Sequence, residues 1–165
     1  MTYHKPMILV IFVSLLMTQE KGWRGIVPLH STRQDVERLV GTPKATRATT
    51  YVLEDGKITV FYSDGVCGNG DEIDWNVPRD TVVNLKFEPN SSLILADLKL
   101  DMTTYERFND PHVQIAVHYY NKEEGIYIST RMLPGGEEVQ YVTYEPASKD
   151  YYLRCPQQPK PEERK

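Results

Sequence analysis

Motifs for nucleotide binding and for common hydrolytic chemistry are missing from this chain. Its 165 residues contain no G-x-S-x-G, P-loop, G-x-G-x-x-G or H-E-x-x-H pattern. Each of those patterns places a nucleophile, a phosphate or a metal ion in a defined local structure, so the corresponding enzyme classes lack sequence support. A triad of distant Ser, His and Asp side chains stays open, but no pattern favours one. The sequence therefore predicts a protein that is not an enzyme and needs no cofactor.

An excess of basic charge is also missing. The chain has 19 Lys and Arg against 23 Asp and Glu, a net charge of -4, and both signs are spread along its length. Surfaces that bind nucleic acid normally need a basic patch. Nucleic acid is therefore not an expected partner.

Cysteine is scarce, and Cys67 and Cys155 are all that the chain contains. Neither C-x-x-C nor zinc-type spacing is present, which disfavours a redox motif and a structural zinc site. An even number of cysteines in an oxidising compartment favours one disulfide closing a long loop. Two free thiols are the alternative.

Long apolar runs are limited to the N-terminus. Lys5 precedes a run from Met7 to Met17 in which Ser14 is the one polar residue. As a helix this run spans roughly 16 Å, about half of a bilayer core. The arrangement is typical of a secretory signal peptide, here over residues 1–18, although an A-x-A cleavage site is missing. We predict an exported protein, periplasmic or extracellular, without stable membrane insertion after cleavage; a buried N-terminal strand or helix is the alternative.

Residues 29–43 have the pattern of a short helix. Either Ser31 with Gln34 or Thr32 with Asp35 has the spacing of a capping box. Gly41 supplies a left-handed residue at the helix end, and Pro43 prevents continuation. An apolar stripe at helical spacing lies between these signals: Val36, Leu39 and Val40.

Three strands are predicted after this helix. Asp55-Gly56 lies between two β-rich runs, which is a strong hairpin signal. Residues 81–89 then alternate between apolar and polar until Pro89 ends the strand. The predicted inward-facing set of this strand is Val83, Leu85 and Phe87.

The second half of the sequence repeats this order. Thr103 and Glu106 have capping-box spacing ahead of a short helix predicted around Tyr105 to Phe108, and a hairpin at Glu124-Gly125 and a third strand follow. The segments that match between the halves are Glu37-Arg38 with Glu106-Arg107, Gly56 with Gly125, and Phe87-Glu88-Pro89 with Tyr144-Glu145-Pro146. The pattern predicts a duplication with repeats of about 29–90 and 98–147, although this order of elements also arises by chance.

The predicted fold class is therefore α+β. Two tandem helix-plus-three-strand units would form an antiparallel sheet with the helices packed on one face, because neither half can bury its apolar side alone. Residues 19–155 would make up this domain. The proline-rich, charged residues 156–165 are predicted to be a disordered tail.

Residues 32–43, TRQDVERLVGTP, resemble the T-x-x-x-V-x-x-L-L-G-x-P stretch of the SmpA/OmlA (BamE-like) envelope proteins. The tandem arrangement is similar to that of the β-lactamase-inhibitor-protein superfamily. The resemblance covers mainly residues 29–62, with a weaker match over 101–146. The chain departs from the family in having His30-Ser31 where Gly-Met is usual, and in lacking the lipid-anchoring cysteine. The resemblance implies an exported, non-enzymatic α+β domain that binds another protein.

The loop after the second strand is acidic and glycine-rich. Its carboxylate and amide side chains are the hard oxygen ligands that Ca²⁺ prefers, but their spacing is not that of an EF-hand. A solvated acidic loop, held by Cys67 and anchored by Trp75, is the prediction, and no metal is expected. The possible oxygen ligands are Asp64, Asn69, Asp71, Glu72 and Asp74.

The candidate partner-binding surface lies on the second predicted hairpin. One alternate set of residues is apolar and is expected to face the helices: Val117, Tyr119, Ile126 and Ile128. The opposite face would then carry His118, Tyr120, Tyr127 and Arg131, residue types enriched at protein interfaces. Ordinary β-propensity is the alternative reason for the tyrosines, and His118 is read as a cross-strand neighbour rather than a metal ligand.

The leading hypothesis from the sequence is an exported protein-binding or envelope scaffold module that uses this tyrosine-rich face. The alternative is an inhibitor of a secreted enzyme, which would insert the Cys67–Trp75 loop with Asp71, Asp74 and Trp75 as contacts. A calcium-stabilised or enzymatic domain is the third possibility. The partner in the first two cases is another protein.

Overall fold

The computed structural model describes residues 22–43, 49–67 and 75–156. The predicted signal peptide lies outside these residues, as do Asp71, Asp74 and the predicted tail apart from Pro156. Within the described residues, seven antiparallel strands form one sheet in the order β1-β2-β3-β7-β6-β5-β4. The strands are β1 Thr50–Val52, β2 Gly56–Tyr62, β3 Val82–Pro89, β4 Glu106–Asn109, β5 Ala116–Asn121, β6 Ile126–Leu133 and β7 Gly136–Tyr144. The helices are α1 Arg33–Val40 and the 3-10 helices Leu95–Leu98, Met102–Thr104 and Ser148–Leu153.

The prediction of two helix-plus-three-strand units is wrong, because the second half of the described chain contains no α-helix. Where a helix was expected around Tyr105 to Phe108, the chain forms strand β4. Each residue of β4 pairs with a residue of β5. A four-residue helix closes few internal hydrogen bonds, whereas an added strand pairs along its whole length. The matching Glu-Arg pairs therefore lie in a helix in one half and in a strand in the other.

The sheet consists of two three-stranded meanders, joined through their third strands β3 and β7. The Lys86–Thr143 pair is at the centre of this junction. On one side of it Leu85 pairs with Tyr144, and on the other Phe87 pairs with Val142. The sequence match between the two halves that aligns Phe87 with Tyr144 also aligns Lys86 with Thr143. Lys86 and Thr143 therefore occupy equivalent positions in the two halves, and they are paired with each other in the sheet. The strands are thus related by an approximate twofold, with β4 added at one edge, while the duplication itself stays a prediction.

Helix α1 is confirmed, with the predicted cap at Thr32. The Thr32 side chain accepts a hydrogen bond from the Asp35 N–H at 3.3 Å, and the Asp35 carboxylate accepts one from the Thr32 N–H at 2.9 Å. Val36 is fully buried and Val40 packs against the same cluster, but Leu39 is 49% exposed. Leu39 lies about 100° around the helix axis from Val40 and faces solvent. Its predicted place in the core is therefore wrong.

Replacing Thr32 by Ala is expected to lower the free energy of unfolding by about 1 kcal/mol, because the Asp35 N–H in the first turn loses its side-chain acceptor. Urea unfolding followed by circular dichroism measures this difference. Thr32→Ser is the matched control, since it keeps the hydroxyl and is expected to unfold like the parent. Equal losses in the Ala and Ser variants would contradict a capping role.

Two apolar clusters lie on one face of the sheet, which we call the buried face. One cluster, with α1, Trp23 and Ile26, covers β2 and β3. The other, with residues from 93 to 102, covers β5, β6 and β7. Tyr144 contacts both clusters, so the two meanders share one interior. The fully buried side chains of these strands include Ile58, Val60, Leu85, Val117 and Ile128.

The alternation predicted for β3 is interrupted at its start. Phe61 pairs with Asn84 and Tyr62 with Val82, which leaves Val83 as an extra residue in a β-bulge. Val82 is consequently fully buried with Leu85, while Val83 is half-buried against a third, smaller cluster around Trp75. The prediction that Val83 belongs to the inward-facing set was wrong, because a bulge shifts the side-chain alternation by one residue.

Candidate functional site

The face of the sheet opposite the buried face carries a row of stacked side chains on five neighbouring strands. We call this row the aromatic ladder, and its members are Phe108 on β4, His118 on β5, Tyr127 on β6, Tyr141 on β7 and Lys86 on β3. Successive ring centroids are 5.3, 5.5 and 6.0 Å apart from Phe108 to Tyr141. The Lys86 ammonium lies 4.5 Å from the Tyr141 ring centroid, a cation–π distance.

Strand register explains why the rings meet. Phe108 is directly opposite His118, but the next two contacts are diagonal. His118 is paired with Ser129, and Tyr127 with Thr143, so the direct partners are small. Diagonal neighbours on one face of a sheet are within reach of aromatic side chains. The small partners therefore leave space in which Tyr127 stacks between His118 and Tyr141.

The tyrosine rings of the ladder present their edges, rather than their flat faces, to solvent. Tyr127 lies nearly parallel to His118 on one side, at 24°, and to Tyr141 on the other, at 23°. Burial, together with the neighbouring Tyr141, raises the pKa of Tyr127 to about 12. Both flat sides of Tyr127 are thus occupied within the protein, and its hydroxyl stays neutral at physiological pH.

His118 lies inside the ladder rather than on its surface. It is 8% exposed, and its Nε2 is 3.4 Å from the Asp110 carboxylate. Asp110 also accepts hydrogen bonds from the N–H groups of His112 and Val113, and the His112 bond is the largest cause of its lowered pKa. The predicted contact residue His118 is therefore positioned to support the neighbouring rings from within.

The other predicted contact residues lie on the same face. Tyr120 is half-buried, and its pKa is raised to about 12 mainly by burial and in part by the neighbouring Tyr151 of the 3-10 helix Ser148–Leu153. Arg131 is exposed and donates from Nη2 to the Gln140 side chain at 2.7 Å. The structure thus brings Tyr120, Tyr127 and Arg131 to one face but covers part of Tyr120 with the C-terminal segment.

Trp75, predicted as a contact residue of the Cys67–Trp75 loop, is buried rather than exposed. It is 5% exposed, and the centroid of its ring lies 6.0 Å from that of Tyr151. The Cys67 and Cys155 sulfurs form a disulfide, as predicted, with their Cα atoms 5.7 Å apart. This bridge ties the start of the Cys67–Trp75 loop to the C-terminal segment. A disulfide is compatible with an exported protein.

Sequence reasoning did not include Phe108, Tyr141 or Lys86 among the contact residues. Phe108 was expected in a helix, and Lys86 joins the ladder only because β3 pairs with β7, which no local pattern indicates. Tyr141 follows a bulge in β7 between Val139 and Val142 that decides which face it takes. The one signal available was the tyrosine content of the last strand.

Glu145, the residue after β7, has a raised pKa because burial penalises its charged form. The folded protein then binds a proton more tightly than the unfolded chain, so stability is lost as pH rises through the folded pKa. We expect Glu145→Gln to be more stable than the parent near neutral pH and equally stable below about pH 4, where the carboxyl is protonated in both states. Urea titrations at the two pH values measure this. A constant difference between the proteins at both pH values would contradict the assignment.

In the described parts of the chain, no group of three His, Cys, Asp or Glu side chains is arranged to hold a metal ion. Most of the possible calcium ligands, Asp71 and Asp74 among them, lie outside those parts. None of the described helices is both long enough and apolar enough for a membrane span. Comparisons of the chain with family models, with curated proteins and with solved structures give no match.

Proposed function

We propose that this protein is an exported protein-binding module, periplasmic or extracellular, whose contact surface is the aromatic ladder. The observation that carries the proposal is the ladder itself, four rings on neighbouring strands with Lys86 at one end and Phe108, 41% exposed, at the other. Aromatic and arginine side chains are enriched at protein interfaces, and preorganised rings lose little conformational entropy on binding.

The orientation of the rings favours a protein partner over a carbohydrate. A sugar ring stacks on an exposed flat aromatic face, whereas both flat sides of Tyr127 are occupied by His118 and Tyr141. The ladder instead offers ring edges and hydroxyls next to the polar side chains of Arg131 and Gln140. That mixture of apolar and hydrogen-bonding groups suits a protein surface. We accordingly propose binding without catalysis and without a cofactor.

An envelope scaffold is the form of this proposal that the family resemblance supports. The segment that resembles the SmpA/OmlA proteins, residues 32–43, forms α1 with its cap and its C-terminal Gly41. The predicted signal peptide and the disulfide support export. In the second half the resemblance is limited to the strands, since β4 stands in place of a helix.

The binding proposal is tested by capture with a photo-crosslinking residue. The mature chain, carrying benzoylphenylalanine in place of Tyr127, is expected to crosslink a discrete partner from the culture medium or the cell envelope. Phe61, an exposed aromatic residue of β2 on the same face but outside the ladder, is the matched control position. With the identified partner in hand, Tyr127→Ala is expected to weaken binding at least about tenfold, and Phe61→Ala about twofold or less. Equal effects of the two substitutions would refute the proposed surface.

A second candidate function is inhibition of a secreted enzyme by the Cys67–Trp75 loop. The observation that favours it is that both ends of the loop are held, by the Cys67–Cys155 disulfide and by a 3.4 Å hydrogen bond from the Cys67 N–H to the Trp75 carbonyl. A constrained loop loses less entropy on binding. Replacing residues 68–74 by a short glycine-serine linker would abolish inhibition in this case, but would leave ladder-mediated binding intact.

A further inference from the structure

Strand β4, Glu106–Asn109, is the outer strand at one edge of the sheet. Its inner side pairs with β5, and among the described residues no strand pairs with its outer side. All four of its residues are exposed. Such an edge is a template for a further strand. We propose that β4 pairs antiparallel with β4 of a second copy of this chain, so that the sheet continues through a twofold axis at Phe108.

The hydrogen bonds of β4 show which backbone groups are directed outward. The Asp110 N–H donates to the Ala116 carbonyl at 3.1 Å, so Asp110 and Ala116 form a hydrogen-bonded pair with β5. Antiparallel ladders alternate between hydrogen-bonded and non-hydrogen-bonded pairs, so Phe108 and Glu106 also bond inward. The N–H and C=O groups of Arg107 and Asn109 therefore point away from β5, toward an added strand.

Side-chain direction then limits the possible registers. Directly paired residues share a face, and the outward-bonding residues Arg107 and Asn109 must form the new hydrogen-bonded pairs. Centring the twofold on Arg107 would bring two guanidinium groups together. Centring it on Phe108 pairs Arg107 with Asn109 of the second copy, and each such pair exchanges both backbone hydrogen bonds. Arg107 already contacts the Asn109 side chain within its own chain, at 3.3 Å from Nη1 to Oδ1, so the two side chains are compatible neighbours.

The same register continues the aromatic ladder. Phe108 is the last ring of the ladder, packed on His118 on one side and 41% exposed on the other. A twofold at this residue places Phe108 of the second copy directly opposite it, in the closer, non-hydrogen-bonded type of pair. The ladder of one chain would then run into the ladder of the other. The exposed ring adds an apolar contact to the four backbone hydrogen bonds.

One kind of pair in this register is unfavourable, and the twofold axis produces it twice. Glu106 is opposite Asp110 of the second copy, and both are acidic. Within its own chain the Asp110 carboxylate is turned back toward the N–H groups of His112 and Val113. Two short strands also bury less surface than a standard interface, so we expect a weak dimer that salt strengthens by screening the carboxylates. This association is separate from partner binding, because a chain that stays monomeric can still bind a partner through Tyr127.

Site-specific disulfide formation tests the register directly. In the proposed dimer the two Cα atoms at position 108 are about 4.5 Å apart. The two at position 106 are roughly 14 Å apart, since they are offset by four residues along neighbouring strands. Both native cysteines are bonded to each other, so an added cysteine is a single free thiol. Phe108→Cys is expected to form a covalent dimer under mild oxidation at least about tenfold faster than Glu106→Cys. Equal rates would overturn the proposal.

Sedimentation equilibrium of the mature chain tests the dimer without a covalent trap. We expect the average mass of the parent chain to rise toward twice the monomer value as its concentration approaches about 1 mM. The variant Glu106→Lys is expected to tighten association several-fold, because it replaces the repulsive acidic pair with an attractive one. Asn109→Pro removes an outward N–H and is expected to weaken association at least about tenfold. Val52→Pro on the opposite edge strand β1 is the matched control, with association unchanged.

Three outcomes overturn the inference. The first is a chain that stays monomeric at every concentration, which would leave the edge for an extended segment of another protein. The second is an equal loss of association in Asn109→Pro and Val52→Pro. The third is association that persists in Asn109→Pro but is lost in Ile115→Ser. Ile115 belongs to a separate exposed apolar region near Met132, so this result would place the contact there and not at β4. Thermal unfolding of each variant confirms that the comparison is between folded proteins.

Discussion

Replacing Cys67 and Cys155 together by serine is expected to lower the free energy of unfolding by roughly 4–5 kcal/mol, the largest effect of any change considered for this chain. The bridge joins residues 88 positions apart. Closing so long a loop removes many conformations from the unfolded chain, and this is where the entropic model places most of the stabilisation. The bridge also holds the C-terminal segment, whose Tyr151 packs against Trp75.

Guanidinium or urea unfolding of the parent and of the double serine variant measures the loss. The parent with its disulfide reduced is the matched control, and it is expected to unfold like the variant because both lack the same cross-link. Coincident unfolding curves for the oxidised and the reduced parent would show that the bridge does not constrain the unfolded chain. A loss of this size raises the ratio of unfolded to folded protein by roughly a thousandfold or more.

Replacing Leu85 by Ala is expected to lower the free energy of unfolding by about 3–4 kcal/mol. Leu85 is fully buried on β3, opposite Val60 on one side and Tyr144 on the other. Truncation removes buried apolar atoms and leaves a cavity where the two meanders meet, and both effects destabilise. Because Tyr144 belongs to both apolar clusters, the change is expected to shift a single unfolding transition rather than to separate two.

Leu39→Ala is the matched control for this prediction, because it removes the same atoms from a leucine that is 49% exposed. We expect a cost of about 0.5 kcal/mol or less, in line with surface substitutions. Urea unfolding followed by tryptophan fluorescence and by circular dichroism measures both variants. Equal losses at Leu39 and Leu85, or two separate transitions in Leu85→Ala, would contradict a shared interior across β3 and β7.

Local sequence signals predicted the elements that depend on short-range chemistry. The Thr32–Asp35 box and Gly41 define α1, and Asp55-Gly56 and Glu124-Gly125 lie at the two hairpins. These signals work because a cap or a tight turn is decided by a few neighbouring residues. The same kind of signal failed around Thr103 and Glu106, because β5 offers that segment a full set of strand hydrogen bonds. Local signals also could not predict that Leu39 is exposed, because an apolar stripe at helical spacing does not show how much of the stripe the sheet covers.

By itself, the sequence determined the capped first helix, the two hairpins and the alternation that sets His118, Tyr120 and Tyr127 apart from the apolar residues of the second hairpin, and it favoured the Cys67–Cys155 disulfide over two free thiols. Tertiary structure alone decided that β3 pairs with β7, that β4 is a strand, and that Lys86, Tyr141 and Phe108 complete the aromatic ladder. The physical reason is the range of the interactions. Caps, turns and alternation are governed by residues a few positions apart, whereas strand register and edge position depend on which distant segments bury the most apolar surface and satisfy the most backbone groups.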